Sequence, residues 1–268
     1  MTTYDVLTQM WEFPPPIVIG CIALVVAYCV GTRLKFEPFK AFNYFTGVAF
    51  IFVALTSPID HLGEEYLFSA HMLQHMMLGL IAPCLMVAGL PESMVRSWLK
   101  YRPVRWLERF LGNPIVALVA ANVVIWIWHI PKLYDMTLED EGIHIFEHVQ
   151  FMITGAMLWW PVFKPIPEER LKPLPAAVYL SVACFLASIL GIIFTIVDTP
   201  YYLVYANPHD HHGALSLIRD VWGIGLIEDQ KLGGAVMWVI CTLVFFWAVM
   251  VVMIDWLRER EDVNVRTA

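Results

Sequence analysis

Two histidine pairs carry the most specific chemistry in this sequence. His71-Met72-Leu73-Gln74-His75 sets two imidazoles four residues apart near the start of an apolar run that continues to Leu90, and His144 and His148 repeat the spacing at the head of a run ending near Phe163. On a helix, residues i and i+4 share one face a turn apart, so each pair can close on one metal ion. Glu147 adds a carboxylate next to His148, and Met72, Met76, Met77, Met136 and Met152 lie nearby in the chain. Imidazole with thioether suits Cu(I), whereas imidazole with carboxylate also suits Zn(II), Cu(II) or iron.

The elements that must position these rings are membrane helices. The 268 residues are 59% hydrophobic and only 15% charged, and the mean hydropathy is +0.64, a composition outside the range of soluble domains. Apolar runs at residues 16–32, 39–57, 67–90, 115–130, 142–163, 174–197 and 232–257 approach the ~20 residues that cross ~30 Å of hydrocarbon. The expected fold is therefore all-α, a single polytopic domain over residues 1–268 with seven transmembrane helices. Residues 1–12 contain no Lys or Arg, so the first run lacks the basic leader of a cleavable signal peptide.

Orientation follows from the basic residues, which cytoplasmic loops retain. Arg33, Lys35 and Lys40 fall in the first connection, Arg96, Lys100, Arg102, Arg105 and Arg109 in the third, Lys164, Arg170 and Lys172 in the fifth, and Arg258, Arg260 and Arg266 in the tail; only Lys132, Arg219 and Lys231 fall on the other side. This predicts an outside N-terminus and a cytoplasmic C-terminus. That orientation makes no use of histidine, and all nine histidines then lie toward the outer face: His61, His71, His75, His129, His144, His148, His209, His211 and His212. At ~1.5 Å per residue, His75 and His148 sit about 6 Å deeper than His71 and His144, so the pairs share one depth. Polar groups at that depth turn toward the bundle interior, where a partner or ion compensates them. Asp60, Glu64, Glu65, Asp210 and other acids crowd the outer loops, making a mouth that attracts cations.

Other function classes lose ground on composition. A net charge of -7 with no basic block argues against nucleic acid as a partner. No phosphate loop or nucleophile motif is present. Cys21, Cys29, Cys84, Cys184 and Cys241 all sit in apolar runs, where small buried side chains are expected rather than disulfides.

The motifs together resemble a known family. Ser57-Pro58-Ile59-Asp60, Leu67 through His75, Ala82-Pro83 and Gly89-Leu90-Pro91 are followed by Trp128-His129-Ile130-Pro131 with Leu133-Tyr134-Asp135. His144 with Glu147-His148, Trp159-Trp160-Pro161, Asp229-Gln230, Gly233-Gly234 and Met237-Trp238 complete the series. In order and spacing this resembles the multi-helix CtaG family of cytochrome c oxidase assembly factors associated with caa-type oxidases. The resemblance implies a multi-pass protein of the bacterial cell membrane, not an enzyme, that handles copper on the periplasmic or exterior side. Its partners would be oxidase subunits, the lipid bilayer and a periplasmic copper donor. His71, His75, His129, His144 and His148 match the family's recurrent histidines, and Asp60 and Asp229 match its acids. The expected site holds copper, as Cu(I) or Cu(II), among imidazoles from three helices with His129 capping it. The resemblance does not place His61, His209, His211 and His212.

Three rival classes share some of these features. A haem-binding electron carrier also uses histidines on facing helices, but one ring per helix suffices and four-residue spacing is too short for two stacked haems. A membrane di-iron oxygenase has similar clusters, but they face the cytoplasm. A transporter needs ionisable groups in the inner half of the helices, where Cys84 is the one soft side chain near the path.

Overall fold

The computed structural model describes the backbone of residues 1–267, which is predominantly helical with no strand among the described residues. The α-helices are α1 (Thr3–Gln9), α2 (Pro15–Gly31), α3 (Pro38–Thr56), α4 (Pro58–His61), α5 (Phe68–Met76), α6 (Ala82–Gly89), α7 (Glu92–Trp98), α8 (Arg102–Leu111), α9 (Pro114–Trp128), α10 (Pro131–Glu139), α11 (Glu141–Phe163), α12 (Pro173–Ile196) and α13 (Leu226–Thr267). Helix starts follow local chemistry. Proline occupies the first turn of α2, α3, α4, α8, α9, α10 and α12, where its missing N–H costs nothing and its fixed φ is already helical. Asn113 caps α9 by accepting from Ile115 N–H at 2.9 Å, and Asp140 caps α11 from Ile143 N–H at 2.9 Å.

Among the described residues, four stretches are long and apolar enough to cross a membrane: Pro38–Thr56, Phe68–Gly89, Pro173–Ile196 and Leu226–Arg258. The other three apolar runs depart from a plain span in different ways. The first forms the shorter α2, starting and ending one residue earlier than the hydropathy boundary. The fourth, α9, continues from α8 through a 66° bend at Gly112-Asn113. The fifth, α11, has 23 residues but is less apolar than the four, because Glu141, His144, Glu147, His148 and Gln150 dilute its first half. Large apolar side chains face outward in rows, among them Ile19, Ile22 and Val26 on α2 and Val178, Val182 and Phe185 on α12, as expected of helices solvated by lipid.

The main core joins α5, α6, α11, α12 and α13, with Phe68, Trp159, Leu180, Met237 and Phe245 fully buried or nearly so. A second cluster packs α2 and α3 on the third span through Tyr28, Tyr44, Leu78 and Ala82. The third span is not a uniform helix. Between α5 and α6 the turn Met77–Ile81 widens to π geometry, with Ala82 N–H donating to the Met77 carbonyl. Pro83 explains it: in an α-helix its ring would strike the carbonyl of residue 79, and it has no N–H to offer that carbonyl. A Cβ on Gly155 of α11 would overlap the Gly79 carbonyl and meet Pro83 Cγ at 3.0 Å. The two helices therefore touch backbone to backbone here, a crossing that only glycine admits. Trp159 locks it, its indole N–H donating to the Leu80 carbonyl at 2.9 Å. Away from the crossing, α11 stays close to α6 but parts from α5, and the opening between them holds the histidines.

Candidate metal centre

The two histidine pairs meet level by level across that opening. Ring centroids of His71 and His144 are 5.4 Å apart, and those of His75 and His148 are 5.5 Å apart. Donor atoms of His71, His75, His148 and Glu147 all lie within 4.8 Å of one another. All four side chains are buried, His148 being the most exposed at 5%. Both nitrogens of His71 and His75, both carboxylate oxygens of Glu147, and Nε2 of His148 lack a hydrogen-bond partner. The Gly63 carbonyl and the Thr137 hydroxyl come near His71 and Glu147 without meeting hydrogen-bond geometry. Thr137 has instead committed its proton to the Tyr134 carbonyl at 2.8 Å.

Orphaned buried polar atoms cost about 1–3 kcal/mol each, so a concentration of them requires compensation. A bound cation would supply it. Two ligands bonded at ~2.0–2.2 Å to one ion in tetrahedral geometry stand roughly 3–3.5 Å apart. His75 Nε2 and Glu147 Oε1, at 3.7 Å, are too far apart to hydrogen-bond and close to that ligand spacing. Three imidazoles and a carboxylate fit Cu(II) or Zn(II) without rebuilding the backbone.

The remaining predicted site residues take other positions. His144 lies at the edge of the set: Nδ1 meets Glu64 Oε1 at 3.0 Å, while Nε2 is unpartnered. His129 is turned to other contacts, Nδ1 to the Ile125 carbonyl at 2.7 Å and Nε2 to Met72 Sδ at 3.3 Å. Its ring still flanks His75, with centroids 6.1 Å apart. Met152 packs with the α2–α3 cluster instead. Glu147 is the member that helical spacing of histidines alone leaves out. The signal for it was its place between His144 and His148.

The two acids act on helix ends and glutamine rather than within the donor set. Asp229, fully buried, reaches from α13 to the start of α5. Its Oδ2 accepts from Phe68 N–H at 2.7 Å, and its Oδ1 accepts from Ser69 N–H at 3.1 Å and the Ser69 hydroxyl at 2.6 Å. It serves as the N-cap that α5 lacks locally. Gln74, between the two histidines of α5, donates to Asp60 and to the Ala54 carbonyl at 3.0 Å.

In the connection between α3 and α5, burial, reinforced by Glu64, pushes the Asp60 carboxyl up to about 7. A folded-state acid held above its unfolded value binds a proton that the unfolded chain releases. Its contribution is therefore complete below the unfolded pKa of about 4 and is lost as pH rises through 7. Asp60→Asn should remove up to about 1.4 kcal/mol per pH unit of that dependence. The check is the thermal midpoint of both proteins between pH 5 and 8: the wild-type midpoint should fall more steeply with rising pH than the variant's.

The class these features define is a helical membrane protein with a histidine–carboxylate centre buried at one end of its bundle. The profile of the family described as cytochrome c oxidase caa3 assembly factor (Caa3_CtaG) matches residues 22–259, and the chain belongs to that family. It is 23% identical over 291 residues to proteins of Mycobacterium bovis and Mycobacterium tuberculosis, and 22% identical over 283 residues to one of Mycobacterium leprae, all described as uncharacterized. These alignments cover 99%, 99% and 96% of this chain but only 42%, 42% and 41% of the mycobacterial proteins, so the chain spans about two fifths of those relatives. No solved structure matches it.

Proposed function

We propose that this chain binds copper as cargo at His71, His75, Glu147 and His148 and delivers it to a haem–copper oxidase during assembly. The observation that carries the reading is the convergence of four buried donors from two helices within 4.8 Å, most of their polar atoms unpartnered. Membership of an oxidase assembly family supplies the destination, since the oxidase is itself a copper acceptor. His144, tethered to half-exposed Glu64, is the ring placed to exchange the ion with the surface. Met72 beside His129 adds a soft donor next to the set, which suits a cargo that passes as Cu(I).

The proposed topology has seven crossings, counting α2, the bent α8–α9 pair and α11 with the four long spans, and sits in a bacterial cell membrane. The charge bias puts the N-terminus and the copper site outside and the C-terminus in the cytoplasm. Oxidase subunits and an exterior copper donor are the partners this requires. The haem alternative is disfavoured because the facing rings, 5.4 and 5.5 Å apart centroid to centroid, leave no slot for a macrocycle between them. The transport alternative is disfavoured by the cavity beneath the site. It holds about 40 Å³, and below His75 and His129 it is lined by Phe151, Met237, Cys241 and other groups without charge.

Copper titration of the detergent-purified protein tests the assignment. Stoichiometric binding is expected, and His71→Ala with His148→Ala should weaken it by more than the ~10–100-fold typical of losing a mere outer-shell partner. Unchanged stoichiometric binding by the double variant would overturn the site.

A further inference from the structure

Three of the histidines that the family resemblance did not place, His61, His211 and His212, lie near one acid, Glu65. The π turn Leu62–Tyr66 carries two consecutive carboxylates that point to different histidine groups: Glu64 meets His144 of the buried centre, and Glu65 meets His211 and His212. Glu65 Oε1 is 2.9 Å from His211 Nδ1 and also accepts His211 N–H at 2.6 Å, while Oε2 is 3.3 Å from His212 Nδ1. Burial raises the Glu65 carboxyl, but these hydrogen bonds outweigh it and leave the group lowered, so it is held as an anion. The His61 ring lies 5.1 Å from that of His212. Its Nε2 is buried and without a hydrogen-bond partner, the nearest acid being Glu12 at 3.7 Å.

The loop that brings His211 and His212 here is built for the purpose. Asp210 (φ 50°) and Gly213 (φ 65°) adopt left-handed conformations on either side of the two histidines. Asp210 closes the turn by accepting Gly213 N–H at 3.1 Å on its carbonyl and Leu215 N–H at 3.0 Å on its side chain. His212 N–H donates to the Tyr66 hydroxyl at 3.1 Å.

We propose that His61, Glu65, His211 and His212 form a second, exchangeable site for a borderline divalent cation such as Cu(II) or Zn(II), from which the buried centre is loaded. A latch that merely fastens the loop would use Glu65 and the backbone N–H groups. It would leave no purpose for His61, and the His211 side chain, 73% exposed, would add little as an exposed ion pair. Three imidazoles and one anionic carboxylate are instead a ligand set for such ions. Exposure of His211 keeps the site open to exchange. Because Glu64 and Glu65 are neighbours on one π turn, an ion leaving the surface site meets the buried centre's outermost histidine next. The loading step rests on the copper reading; the existence of the surface site does not.

The test is equilibrium dialysis of the full chain in detergent against Zn(II), a redox-inert probe, and against Cu(II), with bound metal counted. Wild type should hold two ions. His211→Ala with His212→Ala should hold one, and His71→Ala with His148→Ala should hold one. Two ions retained by the His211/His212 variant would overturn the proposal. So would a single wild-type ion that is lost with His71 and His148 but kept without His211 and His212. The opposite result, a single ion lost only with His211 and His212, would support the surface site and remove the buried one.

Discussion

Asp229→Ala is expected to abolish high-affinity copper binding although Asp229 belongs to no donor set. The carboxylate accepts two backbone N–H groups and a hydroxyl at the first turn of α5. Truncation strands both amides in a buried site at about 1–3 kcal/mol each, a large share of the about 5–15 kcal/mol that holds a typical fold. His71 lies three residues after Phe68, so a frayed first turn releases its ring first. Asp229→Asn retains one acceptor oxygen and should fall between. Lys231→Ala, which breaks only an exposed ion pair with Asp198, should move the thermal midpoint by no more than about 0.5 kcal/mol's worth. Thermal melts and copper titrations of the three variants decide the matter. An Asp229→Ala protein with wild-type copper affinity would show that α5 needs no cap from α13 to hold its histidines.

That cap also marks where reading the sequence stops. His71 with His75 and His144 with His148 could be recognised because i and i+4 contacts are local, and the fixed helical rise put both pairs at one depth before any coordinates. Asp229 was legible only as an acid matching the resembled family, and its partners Phe68 and Ser69 are some 160 residues away, a range of contact that no periodicity encodes. His129 had the right type and depth to join the centre. Its ring is drawn off by a carbonyl on its own helix and by Met72, a competition settled by side-chain packing. Glu147 was visible and its neighbours known. Whether it faced the histidines depended on the angle at which α11 crosses the third span, which Gly79, Pro83 and Gly155 set.

Gly155→Leu tests that crossing directly. Any side chain at 155 meets the Gly79 carbonyl and Pro83, and a backbone carbonyl cannot swing aside as a flexible side chain can. Overpacking a core usually costs about 1–3 kcal/mol; here the cost should exceed that range, because the two helices must separate along the α6–α11 face, where Trp159 closes on Leu80. Gly155→Ala should show a smaller loss of the same kind. Gly20→Leu, on an outward face of α2 with nothing within 4 Å of its Cβ, controls for the added bulk and should leave the protein unchanged. Separation at the crossing carries His148 and Glu147 away from His71 and His75. Any folded Gly155→Leu protein should therefore bind copper weakly with all its ligands intact. If it instead kept both the wild-type melting midpoint and full binding, the spacing of the four donors would have to be fixed by something other than this backbone contact.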